Sequence, residues 1–337
     1  MKAVTKMKAV TLKNNGVVFE TVPKPDMAEA GHVVIQMKAC AINPGDKAFI
    51  TRPLPPGSVL SLYNVYGVSG AGTIIETGSG VPEAYRGKNV AMYRSLKASA
   101  SMVGTWCEYA HMHYLDCILL PDGVDPADYA GSVVNMITPF AFLRQISVAG
   151  HKGIISTAGN SATGIAMEGI CQAYEFPLIS IVRNEAGKKE LEGLGAKNIV
   201  VQSEADFGRQ LQELSLNLST TAIFDGVGGE VLNKIVEVIP NNSTIYSYGY
   251  LGDAVPLTVY ARTLSAKGIT FTPFANFRTA TVQNQENLEK ALSELGAICL
   301  MPHFKTKAGA AFSLERIKDA LAFSSKDGAK AILHPWA

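Results

Sequence analysis

The sequence is poor in the features that tie a chain to disulfides, membranes or polyanions. Cysteine is scarce: Cys40, Cys107, Cys117, Cys171 and Cys299 are odd in number and scattered along 337 residues. That pattern excludes a disulfide framework and fits reduced thiols in a cytoplasmic protein. No four cysteines lie close together, so a structural zinc lobe cannot be built. No apolar run reaches membrane-spanning length, and no signal-peptide pattern stands at the N-terminus, so no membrane partner is expected. Excess charge is missing too. With 30 basic and 29 acidic residues the net charge is +1, and the longest basic run is Lys188-Lys189. Nothing in that balance draws the chain to nucleic acid or anionic lipid. Met1–Thr5 and Met7–Thr11 both read MKAVT, a duplication given no structural weight.

What the chain does have is apolar mass, 47% of its residues, enough at this length for two domains with a core each. The stretch that organises it runs from Gly153 to Arg183, GIISTAGNSATGIAMEGICQAYEFPLISIVR. A β-branched run, Gly153–Thr157, leads into a turn of small residues, Ala158 to Gly164. Ile165 to Tyr174 has helical spacing, Pro177 interrupts, and Leu178–Val182 is apolar again. Strand, small-residue turn, helix, strand is the βαβ unit of a dinucleotide-binding domain. Small residues let a pyrophosphate approach the backbone, and the helix N-terminus offers it free N–H groups. The turn is not G-x-G-x-x-G: it has Gly159 and Gly164 with Asn160 and Ser161 between, and taken alone it equally describes an ordinary strand–helix connection. The end of the second strand sharpens the choice. A site for NAD places an acid there for the ribose 2′-hydroxyl. This chain has Arg183-Asn184, a cation suited to a 2′-phosphate, with Glu185 close by. The expected cofactor is NADPH.

Taken in order, residues 7–130 read as mostly β. Lys8–Lys13 and Val17–Val22 suggest a hairpin around Asn14-Asn15-Gly16. His32–Ile42, Gly67–Thr77, Lys88–Arg94 and Gly104–His113 read as strands, and the prolines from Pro44 to Pro56 predict a long irregular loop. Helical spacing begins near Asp128 and suggests two helices, Ala127–Met136 and Thr138–Ile146, with Pro139 in the first turn of the second. Strands then alternate with helices: Gly153–Thr157, Leu178–Val182, Asn198–Val201, Ala222–Asp225, Thr244–Tyr248 and Ile269–Phe271. Alternation of this kind predicts a parallel sheet. The fold class is α/β: a Rossmann-type, doubly wound parallel sheet at residues 134–274, set inside a β-rich domain made of residues 1–133 and 275–337.

This order of parts resembles the medium-chain dehydrogenase/reductase superfamily, whose β-rich domain is GroES-like. The pieces are Ile42-Asn43-Pro44-Gly45-Asp46, Gly70-Ala71-Gly72, Gly104-Thr105-Trp106, Val134-Asn135, Thr138-Pro139, the Ala158–Ser161 turn, Val182-Arg183, Leu194-Gly195-Ala196, Asp225–Gly229, Tyr248-Gly249 and Lys330–Leu333. Within it the chain is most similar to the zinc-free quinone oxidoreductase and 2-enoyl-thioester reductase branch. Zinc-dependent relatives place Cys where this chain has Asn43 and Gly-His-Glu where it has Gly67-Val68-Ser69, and neither Asn43 nor Val68 replaces a thiolate or imidazole. Cys107, His111 and His113 would share one face of an extended strand, where a half-buried strand face is the better reading than a metal site.

The resemblance implies hydride transfer from NADPH to a conjugated carbonyl, namely a quinone, enone or 2-enoyl thioester, by a cytoplasmic homodimer that pairs Rossmann edge strands. It implies Asn135 and Thr138 near the nicotinamide; Ala158, Gly159, Asn160, Ser161, Ala162 and Thr163 at the pyrophosphate; and Arg183 at the 2′-phosphate. Tyr248, Gly249, Tyr250 and Leu251 would line the groove, with Phe274, Ala275 and Lys330 near the nicotinamide. Asp225 is read instead as a cap for the helix starting at Gly228-Gly229. Enoyl-thioester reductases carry an acidic tyrosine in the loop after Asn43–Asp46. Here the nearest position holds Leu54 or a neighbour, so Tyr63 becomes the candidate proton donor, ahead of Tyr66, which packing explains equally well. Asn43 joins Tyr63 as a catalytic candidate; Asn43 and Asp46 either shape the pocket or serve turn chemistry around Pro44. The competing reading is a nucleotide-holding protein, crystallin-like or adaptor-like, with little turnover.

Overall fold

The structure, a computed structural model, describes residues 5–13, 16–51, 61–252, 255–325 and 328–337. Asn14, Asn15 and Leu54 lie outside the described residues. The chain divides into two compact units, one made of residues 1–135, 288–300 and 305–337, the other of 136–287 and 301–304.

In the first unit β1 (Lys6–Lys13) and β2 (Gly16–Pro23) form an antiparallel ribbon. Five elements follow: β3 (His32–Ala41), α1 (Pro44–Ile50), β4 (Ser69–Thr77), β5 (Asn89–Tyr93) and β6 (Tyr109–His113). β7 (Cys117–Leu119) comes next, then α2 (Ser132–Val148), which runs on into the second unit. β3 is the spine of the sheet. It pairs antiparallel with β4 along nearly its whole length and, on its other side over His32–Gln36, with β6, and Val33, Ile35 and Met37 enter a core with Met92, Trp106 and Met112. Residues 44–50, expected as irregular loop, form α1 instead. Pro44 sits in the first turn, where its missing N–H costs nothing, and the Asp46 carboxylate accepts the Asn43 N–H at 2.8 Å.

A second difference concerns Pro139. The spacing suggested two helices, but α2 is continuous through it. A proline inside a helix costs about 3 kcal/mol. Val133, Met136, Ile137, Phe140, Ala141, Phe142, Leu143 and Ile146 are all buried, apolar on several sides of the helix, and their packing outweighs that cost.

The second unit alternates strictly: β8 (Ile154–Ser156), α3 (Ala162–Ala173), β9 (Leu178–Val182), α4 (Glu185–Gly193), β10 (Ile199–Val201), α5 (Phe207–Asn217), β11 (Ala222–Asp225), α6 (Gly229–Val238), β12 (Thr244–Ser247), α7 (Ala261–Lys267) and β13 (Thr270–Pro273). All pairings are parallel, in the order β10-β9-β8-β11-β12-β13. The order reverses between β8 and β11, the place where such sheets bind ligands. Ile155, Ile179, Ile181, Val200, Ile223 and Ile245 make the sheet's contribution to the core. Buried on both faces, these strands read as near-continuous apolar runs, which is why the sequence located them. Residues 275–287, expected with the flanking domain, belong to this unit: Asn276 donates to the Thr138 hydroxyl at 2.8 Å, and α8 (Ala280–Gln283) follows that anchor.

The chain returns to the first unit through α9 (Gln285–Ile298), β14 (Ala308–Ser313), α10 (Ile317–Ala322) and β15 (Lys330–His334). β15 pairs with β3, which carries Lys330 to the sheet that also holds Asn43. Cys107 precedes β6 and its thiol donates to the Gly104 carbonyl, while His111 stacks on His32 at 5.0 Å.

Candidate active site

The sequence-derived site residues divide between the units. Thr138, Ala158 to Thr163, Arg183, Tyr248 to Leu251, Phe274 and Ala275 fall in the second; Asn43, Tyr63, Asn135 and Lys330 fall in the first.

In the second unit the turn after β8 is tightly tied. Gly159 N–H donates to the Ile181 carbonyl at 2.8 Å, and the Ser161 hydroxyl caps α3 by accepting the Gly164 N–H at 3.1 Å. A Cβ on Gly164 would sit 2.4 Å from the carbonyl oxygens of Ala158 and Gly159. Only glycine lets the helix start against the turn so closely. Ala158 itself has φ of 52°, the left-handed region, at the bend from strand to helix. Asn160 donates to Glu190 at 3.3 Å. The residues at the ends of β8 and β11 are joined, since the Thr157 hydroxyl donates to Asp225 at 2.8 Å and accepts the Gly226 N–H. Asp225 also accepts from the N–H groups of Val227 and Gly228, so it braces the turn ahead of α6; the helix itself starts from Gly228 as N-cap, with no side-chain cap, and the expected capping by Asp225 is not observed. Tyr248 stacks on Phe224 at 3.9 Å. Burial raises its phenol pKa. Tyr250 and Leu251 are exposed. Phe274 packs among Phe142 and Phe224, and with Ala275, Gln145, Pro273 and Arg278 it lines a cavity of about 180 Å³.

Arg183 directly follows β9, is exposed, and has no hydrogen bond or ion pair among the described residues. Asn184 caps α4 by accepting the Gly187 N–H, and Glu185 opens that helix. A glycine-tight turn, a capped helix start and an unengaged guanidinium at the ribose strand suit a dinucleotide carrying a 2′-phosphate.

The first unit holds a buried polar cluster. Asn43 is its hub. Its Nδ2 donates to Asp46 Oδ2 at 3.0 Å and to the Ser69 hydroxyl at 2.8 Å, while its Oδ1 accepts from Lys330 Nζ at 2.5 Å. Tyr66 donates to the Asp46 carbonyl and packs edge-on against Trp106, so it is a structural tyrosine. Arg94, buried, lies over the Tyr66 ring. Sequence reasoning missed Arg94, since no motif marks it. Asp46 Oδ1 and Arg94 Nη1 are buried without a partner among the described residues. Burial pushes the Asp46 carboxyl up to about 6, against the hydrogen bonds from Asn43 and the charges of Arg94 and Lys330. Burial lowers Lys330 to about 8, with Asp46 opposing. Asn135 donates to the Gly131 carbonyl at 2.6 Å, and a Cβ on Gly131 would stand 3.2 Å from Lys330 Nζ, so Asn135 and Lys330 meet the same short segment. Tyr63 is not part of this cluster. It is 41% exposed, has φ of 59°, and no hydrogen bond among the described residues.

The β-rich unit and the six-stranded parallel sheet together have the fold of the medium-chain dehydrogenase/reductases. The sequence matches the alcohol dehydrogenase GroES-like domain over residues 29–122. It is 27% identical over 239 residues to a mitochondrial enoyl-[acyl-carrier-protein] reductase of Caenorhabditis elegans, covering 68% of this chain and 66% of that protein. The crystal structure of a putative NADPH:quinone reductase from Mesorhizobium loti superposes with a TM-score of 0.75 at 23% identity, covering 99% of this chain and 100% of the other. A mycobacterial protein complexed with NADPH superposes at 0.70 with 20% identity, covering 98% and 100%. The chain's relatives and structural neighbours thus include quinone oxidoreductases and enoyl reductases.

Proposed function

We propose that the chain is an NADPH-dependent oxidoreductase that reduces a conjugated carbonyl, namely a quinone, an enone or a 2-enoyl thioester, without zinc. The observation that carries the reading is Arg183, an unengaged cation at the strand end where an acid would select NAD. When bound, the cofactor supplies hydride from its nicotinamide ring. The turn Ala158–Thr163 and the start of α3 hold its pyrophosphate, and Arg183 holds the 2′-phosphate by charge-assisted hydrogen bonds. Asn135, Thr138, Phe274, Ala275 and Lys330 serve the nicotinamide end; Tyr248, Gly249, Tyr250 and Leu251 line the groove. The relatives support the acceptor class, being quinone reductases and enoyl reductases.

Zinc does not suit the donor set. Asn43 and Val68 stand at the positions of zinc ligands in related enzymes; the valine offers no donor, and the Asn43 amide is engaged by Asp46, Ser69 and Lys330. Among the described residues no group of three His, Cys, Asp or Glu could hold a metal ion. The carbonyl is instead polarised by oriented donors, the general alternative to a Lewis acid. The reading includes a homodimer joined along β13 and a small-molecule substrate. It places the enzyme in the cytoplasm, which the free, buried state of all five cysteines supports.

The test is a panel of quinones, enones and 2-enoyl thioesters offered with NADPH and followed by loss of its near-ultraviolet absorbance. Turnover with at least one conjugated acceptor, and none with simple ketones, is expected. Tight NADPH binding with no turnover on any acceptor would favour the nucleotide-holding alternative.

A further inference from the structure

We propose that Lys330 is the proton donor of the reduction, and that Asp46 is a positioning residue that aims it through Asn43. The inference rests on the oxidoreductase reading above. Burying an ammonium without a carboxylate partner is costly, and Lys330 is 7% exposed with, among the described residues, only an amide oxygen, Asn43 Oδ1, at hydrogen-bond distance of its Nζ. That arrangement serves poorly as an ion pair. It suits a group that alternates between ammonium and amine, since the amide stabilises the first and the apolar surroundings tolerate the second.

The amide is not free to turn. Both Nδ2 hydrogens of Asn43 are used, one on Asp46 Oδ2 and one on Ser69 Oγ. A flipped amide would set its oxygen against the Asp46 carboxylate and its NH₂ against the ammonium. Asp46 therefore fixes Oδ1 toward Lys330 without touching the lysine at hydrogen-bond distance. The Asn43 N–H, also on Asp46 Oδ2 at 2.8 Å, holds the backbone of the same residue. On the other side Gly131 leaves room for Nζ that any Cβ would narrow to 3.2 Å, and the Gly131 carbonyl holds Asn135. Tyr63, the alternative donor, has no such anchoring.

The step balances as follows. Hydride from NADPH leaves a negative charge on the acceptor. A Lys330 N–H bond breaks with its electron pair remaining on Nζ, a C–H or O–H bond forms on the acceptor, and solvent reprotonates the amine. The titratable groups facing the cluster are Asp46, with Arg94 and Tyr66 behind it.

Two measurements test this. Nitrogen NMR of lysine-labelled protein without cofactor should show Lys330 titrating near 8, where burial places it. Asp46→Asn should move that midpoint down, because its carboxylate raises it. The alkaline limb of kcat/KM for NADPH, which reports the free enzyme, should follow the NMR midpoint in each protein. Lys330→Ala should lower kcat by about a hundredfold, the range of a general acid, and short alkylamines should restore turnover in proportion to their charged fraction. Lys330→Met, which keeps the buried aliphatic volume, should lose as much without rescue. Should Lys330→Ala fail to fold, Lys330→Met decides alone. Turnover within about threefold of wild type in the folded variant, or an alkaline limb that ignores the NMR midpoint, overturns the proposal while the oxidoreductase reading stands. A wild type that reduces no acceptor overturns both.

Discussion

Arg183 and the histidines of β3 and β6 show how much one side chain decides. Arg183 is free to meet a ligand because Asn184, and not Arg183, caps α4. Hydrogen bonds to charged groups contribute roughly 1.5–3 kcal/mol, part of it lost to solvent at an open site. Arg183→Ala should therefore weaken NADPH binding by about tenfold to a hundredfold, or roughly 1.4–2.8 kcal/mol, and leave NADH nearly unchanged. Titration of both cofactors into both proteins measures this; equal losses would assign Arg183 to the fold. The histidines carry a pH prediction. His113 Nδ1 accepts the Leu115 N–H, which requires the neutral ring, and burial lowers its pKa to about 4, with His32 and Lys97 adding to the shift. A base depressed in the folded state adds stability above its unfolded pKa, roughly 6.5, and loses it as pH falls toward 4. His113→Asn, whose Oδ1 can accept the same N–H, should be less sensitive to acid than wild type over that window, read from urea midpoints. The difference between the two proteins is the readout, because Asp46 and Asp116, both raised by burial, act with the opposite sign. Parallel curves for the two proteins would exclude His113 as the group.

At the scale of elements, the strand–turn–helix from β8 to α3 is held by close backbone approach more than by side chains. Gly164→Ala would press a methyl into two carbonyl oxygens at 2.4 Å, so the helix must back away from the turn. Overpacking typically costs 1–3 kcal/mol, and backbone cannot rotate aside as a side chain does, so about 3 kcal/mol is expected. NADPH binding should fall with it. Gly193→Ala is the contrast: nothing lies within 4 Å of its Cβ position at the end of α4, and alanine is the better helix former. Stability unchanged or slightly raised is expected there by thermal melting. A harmless Gly164→Ala would mean that the turn has slack. Small-residue turns and apolar strand runs are local signals, which is why β8 to β13 stood within a residue or two of their observed places. The continuity of α2 was not local: the core around Phe142 and Phe224, aromatic contacts of about 0.5–1.5 kcal/mol each, overrode what Pro139 suggested.

At the scale of the whole molecule, β13 is an edge strand with only β12 beside it among the described residues, and Phe271, Tyr250, Leu251 and Tyr260 are exposed in the same unit. An open edge with apolar neighbours invites pairing with another chain, and in a C2 dimer the same strand serves both copies. A dimeric mass at micromolar concentration is expected by light scattering, reduced to a monomer by Phe271→Pro, since the N–H groups of Thr270 and Phe274 go to β12 and that of Phe271 faces the open edge. A monomeric wild type would refute the dimer.

By itself the sequence determined the order of parts: a β-rich segment, six alternating strands, the small-residue turn and Arg183 at its strand end. Periodicity, proline and glycine act over a few residues, and so they are readable in the chain. Tertiary structure decided the buried polar cluster. Asn43 was visible as a motif, but its contact with Lys330 joins residues 287 positions apart, across strands β15 and β3. Asp46 and Tyr66 had equally good readings as turn chemistry and packing, and only burial separated them: Asp46 became a fully enclosed carboxylate, and Tyr66 a strut on its carbonyl. Arg94 carried no signal at all. Whether a polar side chain is a surface group or a buried, perturbed one depends on which distant residues exclude water from it, and no local pattern encodes that.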